Sequence, residues 1–384
     1  MNSLPSVQQL LQRWHQPSGH PHTERVLSQL RTCRTASQGY HLYQCRDEGC
    51  GKYHYRYHSC RNRHCPQCGH FQKQQWIEDR TRELLPTHYF HVVFTLPHQL
   101  NGLVLGNRKF LFNLLFDASA HTLLTFARDQ KYLGATPGIL SVLHTWGQQL
   151  SFHPHVHCIV SSGGLDKSAE KPQWRQSVRN SRHFMFPVKA LAKVFRAKFL
   201  EGLRKGKSKG QLAIRDEDAF MQILGDVSKN DWVVYAKKPF GGPQQVINYL
   251  GRYTHKTAIT NKRLLHVNEE RQSVSFHYKD YADKGKQKVM TLMATEFIRR
   301  FTQHILPRGF TRIRSYGYLA NRGRSARLEL ITTSLKLPSH PPKSSTPWQL
   351  RLLVQYGILP NQCPHCKKPS LVPIACVYKT GDDG

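Results

Sequence analysis

Histidine and cysteine, the residue types best suited to holding a cation, fall at tight spacings in this 384-residue chain. The segment His153-Pro-His155-Val156-His157-Cys158-Ile159-Val160 alternates imidazoles with other residues. Side chains two apart on a strand share a face. His155 and His157 would therefore project together as a bidentate imidazole clamp, with Val156 on the opposite side. His153 and the upstream Gln148 extend the donor set. Histidines alone do not name the metal, but a sphere completed by a carboxamide and water suits a hard ion such as Mg or Mn.

The cysteines make a second constellation. Six of the ten lie between Cys33 and Cys68. Cys45-x4-Cys50 followed by Cys65-x2-Cys68 supplies two pairs of thiolates, enough to close a tetrahedral structural zinc site. Cys33, His54, His58, Cys60, His64 and His70 lie nearby, and Cys60 or His64 could replace one of the four. Such a zinc would fold a small unit and present Arg56, Arg61 and Arg63 to DNA. A further pair, Cys363-Pro-His365-Cys366, has only His365 and Cys376 beside it in the tail.

A third cluster is Tyr249-Leu-Gly-Arg252-Tyr253-Thr-His255-Lys256. Residues four apart on a helix lie one above the other, so two phenols could reach one phosphate in turn. A phenol with a pKa near 10 sits about 4 kcal/mol above its nucleophilic phenolate at pH 7. A cation on the scissile phosphate, with Arg252 and Lys256 stabilising developing charge, could supply that difference. No nucleotide hydrolysis is needed. Gly202-Leu-Arg-Lys-Gly206-Lys207-Ser208 is one residue short of a phosphate-binding P-loop and follows a helix instead of a strand.

Lysine and arginine total 56 against 24 acidic residues, a formal charge of +32. So large an excess is the footprint of a polyanion partner. Tyr316 and Tyr318, beside Arg312 and Arg314, could stack bases or serve as strand core. No run approaches bilayer-spanning length, and the opening MNSLPSVQQLLQRWHQ lacks a charged start with an apolar core. A cytoplasmic, nucleoid-associated protein without a membrane partner is expected.

Periodicity places an amphipathic helix at the start and a polar helix over about 71–85. A strand at Tyr89–Leu96 precedes an apolar helix over about 103–128. A hairpin of Gly138–Trp146 and His153–Ser162 follows, then a basic helix over about 188–205, a strand at Trp232–Ala236, a helix opening near Gln244 and another over about 294–305. This pattern predicts an α+β fold in three parts. Residues 1–85 form a zinc-binding DNA-recognition unit, 86–335 the sheet domain that carries the histidine and tyrosine clusters, and 336–384 a linker and tail with its Cys-x2-Cys pair.

These residues resemble the two-tyrosine HUH transposases of the insertion-sequence-ninety-one type. The resemblance covers SCRNRHCPQC (59–68), TWGQ with HPHVHC (145–158), GGPQQVINYLGRYTHK (241–256), FHYKD (276–280) and EFIRRFTQHILPRGFTRIRSYGYLAN (296–321). It implies an antiparallel-sheet HUH nuclease core, ferredoxin- or RRM-like, with His155 and His157 on a central strand and the nucleophiles Tyr249 and Tyr253 on a facing helix. It also implies a third polar metal ligand, for which Gln148 is placed, with Gln149 or a residue near the tyrosines as alternatives. The implied activity is cleavage and rejoining of single-stranded DNA at transposon ends and target, through a 5′ phosphotyrosine, in rolling-circle transposition. A replication initiator of the same chemistry and a non-catalytic zinc-dependent DNA-binding regulator are the rival readings. A tyrosine recombinase fits less well, because no Arg/His-x-x-Arg set precedes a single tyrosine.

Overall fold

The computed structural model describes the chain apart from residues 1–4, 18, 167, 169–171, 178–185, 238–244, 247–250, 252–256, 339–346 and 380–384. In chain order the elements are α1 (Val7–Trp14), α2 (Pro21–Arg31), β1 (Gly39–Cys45), β2 (Tyr53–Tyr57), α3 (His70–Arg82), β3 (Tyr89–Thr95), α4 (Asn101–Gly106), α5 (Arg108–Arg128), β4 (Thr136–Trp146), β5 (Phe152–Asp166) and β6 (Gln173–Gln176). They continue with α6 (Val188–Ser208), α7 (Glu217–Lys229), β7 (Val234–Lys237), β8 (Leu264–Asn268), β9 (Ser273–Asp280), β10 (Lys286–Met293), α8 (Ala294–Gln303), β11 (Ile313–Gly317), α9 (Arg324–Ser334), α10 (Trp348–Tyr356) and β12 (Leu371–Tyr378).

The expected hairpin is the centre of the molecule. β4 and β5 pair antiparallel within a six-stranded sheet of order β11-β4-β5-β3-β7, with β6 on the far end of β5. Among the described residues every ladder of this sheet is antiparallel. Both strands are long apolar runs because both faces are covered. One face, with Phe90, Val92, Phe94, Ile139, Leu143, Val156, Cys158 and Val160, packs on Leu111, Phe112, Leu115 and Phe116 of α5 and on Leu191, Phe195 and Phe199 of α6. The other carries Tyr89, Leu140 and Ile159 against Trp76 and Ile77 of α3 and against Val246.

α5 is long and apolar enough to cross a membrane by length and composition, which the sequence reading did not anticipate. Here its apolar side is spent on the sheet and on α6, so it is a core helix. The P-loop-like Gly202–Ser208 lies wholly within α6. A Cβ on Gly202 would fall 2.1 Å from Leu114 Cδ1, and one on Gly206 2.4 Å from Phe110 Cζ. These glycines let two helices approach closely and cradle no phosphate.

The sequence-drawn boundaries are crossed by two shared structures. Val7, Leu10, Leu27 and Leu30 of α1 and α2 share a core with Ile259, Val274, Phe276, Phe297 and Phe301, so residues 1–85 do not close a core alone. The tail is not separate either: β12 pairs antiparallel with β1, from Gly39↔Tyr378 to Cys45↔Leu371, making a three-stranded sheet with β2.

Candidate active site and metal centres

The pleat of β5 sends His155, His157 and Ile159 to the α3 side of the sheet, as alternation requires. Register then adds a residue the sequence reading omitted. His144 of β4 stands directly opposite His155, and one ring nitrogen from each of His144, His155 and His157 falls within 4.8 Å of the others. His144 is 3% exposed and stacks on Trp146 with ring centroids 4.8 Å apart. Gln148, the expected third ligand, sits on the turn between β4 and β5, where its carbonyl accepts a hydrogen bond from Arg263.

Neighbouring groups select the ligating nitrogens. His155 Nδ1 lies 2.6 Å from the His153 carbonyl, a contact that requires Nδ1 to carry the proton and turns Nε2 into the ligand atom. His157 Nδ1 lies 2.8 Å from Nε2 of His91, a buried histidine of β3 whose ring stacks parallel to it. Only the tautomer in which His157 Nδ1 donates to His91 leaves His157 Nε2 unprotonated and able to bind a cation. Burial, with the neighbouring His153 charge, pushes the His155 pKa down to about 4, so the ring is a neutral donor at pH 7. Three convergent imidazoles, two of them engaged at Nδ1 by neighbouring groups, fit a divalent cation.

Tyr249, Arg252, Tyr253 and Lys256 lie outside the described residues. Their neighbours Gln245, Val246 and Gly251 are described and helical. Val246 is 1% exposed and packs on Ile159, two residues beyond His157 on the same face. Gly251 abuts Ile77 of α3.

The four thiols grouped by spacing divide between two clusters. Cys65 and Cys68 join Cys33 and Cys60, while Cys45 and Cys50 join Cys363 and Cys366 from the tail. Sequence proximity misled because β1 carries Cys45 away from Cys65 and toward β12. In the first cluster Sγ–Sγ separations are 3.5 Å for Cys33–Cys68, 3.7 Å for Cys60–Cys68 and 3.7 Å for Cys33–Cys65. Zn–S bonds of about 2.3 Å in a tetrahedron require S···S edges of about 3.8 Å. Hydrogen bonding from Cys60 and Cys65 pulls the Cys33 thiol down to about 7, whereas hydrogen bonding to Cys33 pushes Cys60 and Cys65 up. Four adjacent sulfurs cannot all ionise without a cation between them.

The backbone carries the same signature. Arg34, Gly51, Arg61, Gly69 and Lys367, each directly following one of these cysteines, all have φ between 51° and 87°. A non-glycine residue held there costs about 1–2 kcal/mol, which the turn accepts to bring its thiols to one side.

Several expected DNA contacts are used internally. Arg63 donates to the carbonyls of Phe310 and Pro307, and Arg56 donates to that of Pro360. Arg61 remains exposed, with Arg34, on a cleft of about 510 Å³ beside Cys68 and α3. Tyr318 is 1% exposed, packed on Gly138, so it stacks no base; Tyr316 is half-buried against the main core. Exposed aromatics include Tyr53, Tyr55 and Tyr57, which share one face of β2.

Residues 6–96 match the family model described as "Transposase zinc-binding domain", and residues 138–326 match "Putative transposase". A protein of Sinorhizobium fredii named "Putative transposase y4qJ" is 41% identical over 389 residues, covering 97% of this chain and 95% of the relative. The "Transposase for insertion sequence element IS801" of Pseudomonas savastanoi pv. phaseolicola is 30% identical over 324 residues, covering 83% and 75%. No solved structure matches the chain.

Proposed function

Because the chain belongs to the IS91 family of transposases, we propose that it cuts and rejoins single-stranded DNA at element ends through 5′ phosphotyrosine intermediates, as rolling-circle transposition requires. One observation carries this reading. His144, His155 and His157 converge on the sheet face that also holds Ile159, and Ile159 packs on Val246, three residues before Tyr249. The segment bearing the two tyrosines is thereby tethered, at Val246 and Gly251, on the side of the sheet where the imidazoles project.

In the proposed step a Tyr249 or Tyr253 oxygen attacks the scissile phosphorus, the P–O3′ bond breaks, and the phenol proton ends on the released 3′ oxygen. The phosphotyrosine ester keeps the bond energy for the later joining, when a 3′ hydroxyl attacks it and the phenol is restored. A divalent cation held by His144, His155 and His157 would neutralise charge developing on the phosphate. Arg252 and Lys256 stabilise the same charge. Three imidazoles are a softer donor set than the one expected with Gln148, favouring Mn over Mg. Placing the first thiol cluster's zinc on Cys33, Cys60, Cys65 and Cys68 belongs to the same reading. So does a place of action at the chromosome, where the DNA is.

The test is covalent capture. The whole protein, Mn and a labelled single-stranded element end should give an adduct that survives denaturation. The adduct should vanish in the Tyr249→Phe Tyr253→Phe variant and in His155→Ala His157→Ala. Adduct formation at the wild-type rate in the double tyrosine variant would overturn the nucleophile assignment, and DNA binding without any adduct would favour the non-catalytic regulator.

A further inference from the structure

The zinc-binding domain match ends at residue 96, yet two of its cysteines find their partners more than 300 residues away. Cys45 Sγ lies 3.7 Å from Cys366 Sγ, and Cys50 Sγ lies 3.8 Å from Cys363 Sγ. Both separations equal the edge of a zinc tetrathiolate, about 3.8 Å, and are far beyond a disulfide bond of about 2 Å. Any two of the four sulfurs lie within 4.8 Å.

From this geometry we propose a second structural zinc site, formed by Cys45 and Cys50 from the start of the chain and Cys363 and Cys366 from its end. The surroundings are built as a metal site requires. Ser370 Oγ lies 2.9 Å from Cys45 Sγ and 3.9 Å from Cys366 Sγ, in position to orient both thiolates. Lys368 Nζ pairs with Asp47 Oδ2 at 2.5 Å, joining the two Cys turns through their own side chains. The Arg46 amide donates to the Ser370 carbonyl at 2.9 Å, locking the turns in register. Gly51 and Lys367, each after the second cysteine of its pair, take the same left-handed φ, 55° and 63°. Cys45 and Cys363 are buried with Leu371, flanked by Tyr43, Cys50 and Cys366, in a cluster separate from the one that includes Cys33 and Cys65.

The site closes the chain upon itself. It fixes β12 on the edge of β1, opposite β2 with its exposed tyrosines, so the tail becomes the third strand of a ribbon whose other strands come from the N-terminal region. A chain ending before Cys363 would keep only half of the ligands.

Zinc should be measured on the full chain carrying His155→Ala and His157→Ala, so that the imidazole site contributes none. This protein should hold two zinc ions, and adding Cys363→Ser and Cys366→Ser should leave one. The Ser variants should also make the segment after Pro347 sensitive to trypsin, while circular dichroism stays close to that of the parent. One zinc in the parent, or two zincs after the Ser substitutions, would overturn the site. Denaturation with chelator, without reductant, should expose ten free thiols per chain. Eight or fewer would show a disulfide and count against it.

Discussion

Gly251 stands against Ile77 so closely that a Cβ at residue 251 would lie 2.4 Å from Cδ1 and 2.9 Å from Cγ1 of Ile77. The helix α3 therefore rests on the backbone of the segment that carries the two tyrosines. α3 itself begins at His70, two residues after Cys68. Through α3, the chain leaving the first thiol cluster at Cys68 reaches Gly251.

Adding a methyl at this contact should displace the segment more than it unfolds the protein. Gly251→Ala should cost about 1–2 kcal/mol, because the Ile77 side chain can give way, but lower adduct formation about tenfold. Ile77→Ala in the same chain removes both close atoms and should restore most of the adduct. A Gly251→Ala protein with wild-type adduct rates would show that the contact does not position the segment.

The imidazole site separates His144 from Gln148. His144→Ala should abolish measurable Mn binding and the adduct, whereas Gln148→Ala should change Mn affinity by less than about threefold. His91→Phe keeps a ring but removes the contact to His157 Nδ1, and should weaken Mn binding by about 10- to 100-fold. Isothermal titration of the apo protein reads all three. Equal losses for Gln148→Ala and His144→Ala would restore Gln148 as a ligand.

His304 should make the fold acid-sensitive. Its ring is 3% exposed, bonded to the Leu150 carbonyl and the Thr145 hydroxyl, and burial lowers its pKa to about 4 from 6.5. Below pH 6.5 the unfolded chain takes up a proton that the folded chain refuses until about pH 4. This stability is complete above 6.5 and is lost as pH falls through that window. Between pH 7 and 5 the loss should be about 2 kcal/mol. Urea unfolding of His304→Gln should show a slope shallower by that amount; matching slopes would exclude His304 as the source.

The glycines of α6 should matter for packing and not for phosphate. Gly202→Val should destabilise by about 1–3 kcal/mol through overpacking on Leu114. Lys207→Ala should leave the adduct unchanged, because Lys207 pairs with Glu217 and lies over Phe220. Nucleotide binding that disappears with Lys207→Ala would contradict this.

Local pattern alone identified the HPHVH strand, its hairpin partner and the long helices, because strand alternation and helical periodicity are properties of neighbouring residues. It also fixed which residue types were present to hold metal. What it could not supply was pairing between distant segments. His91 and His144 were each a solitary histidine inside an apolar strand, and only the β3–β5 and β4–β5 registers turn them toward His157 and His155. Cys45 and Cys50 looked like partners for Cys65 and Cys68 because they were near in sequence, but the β1–β12 ladder sends them to Cys363 and Cys366. Thiol and imidazole spacing announces a cation; the sheet registers, set by backbone hydrogen bonds across as many as 339 positions between Gly39 and Tyr378, decide which donors share it.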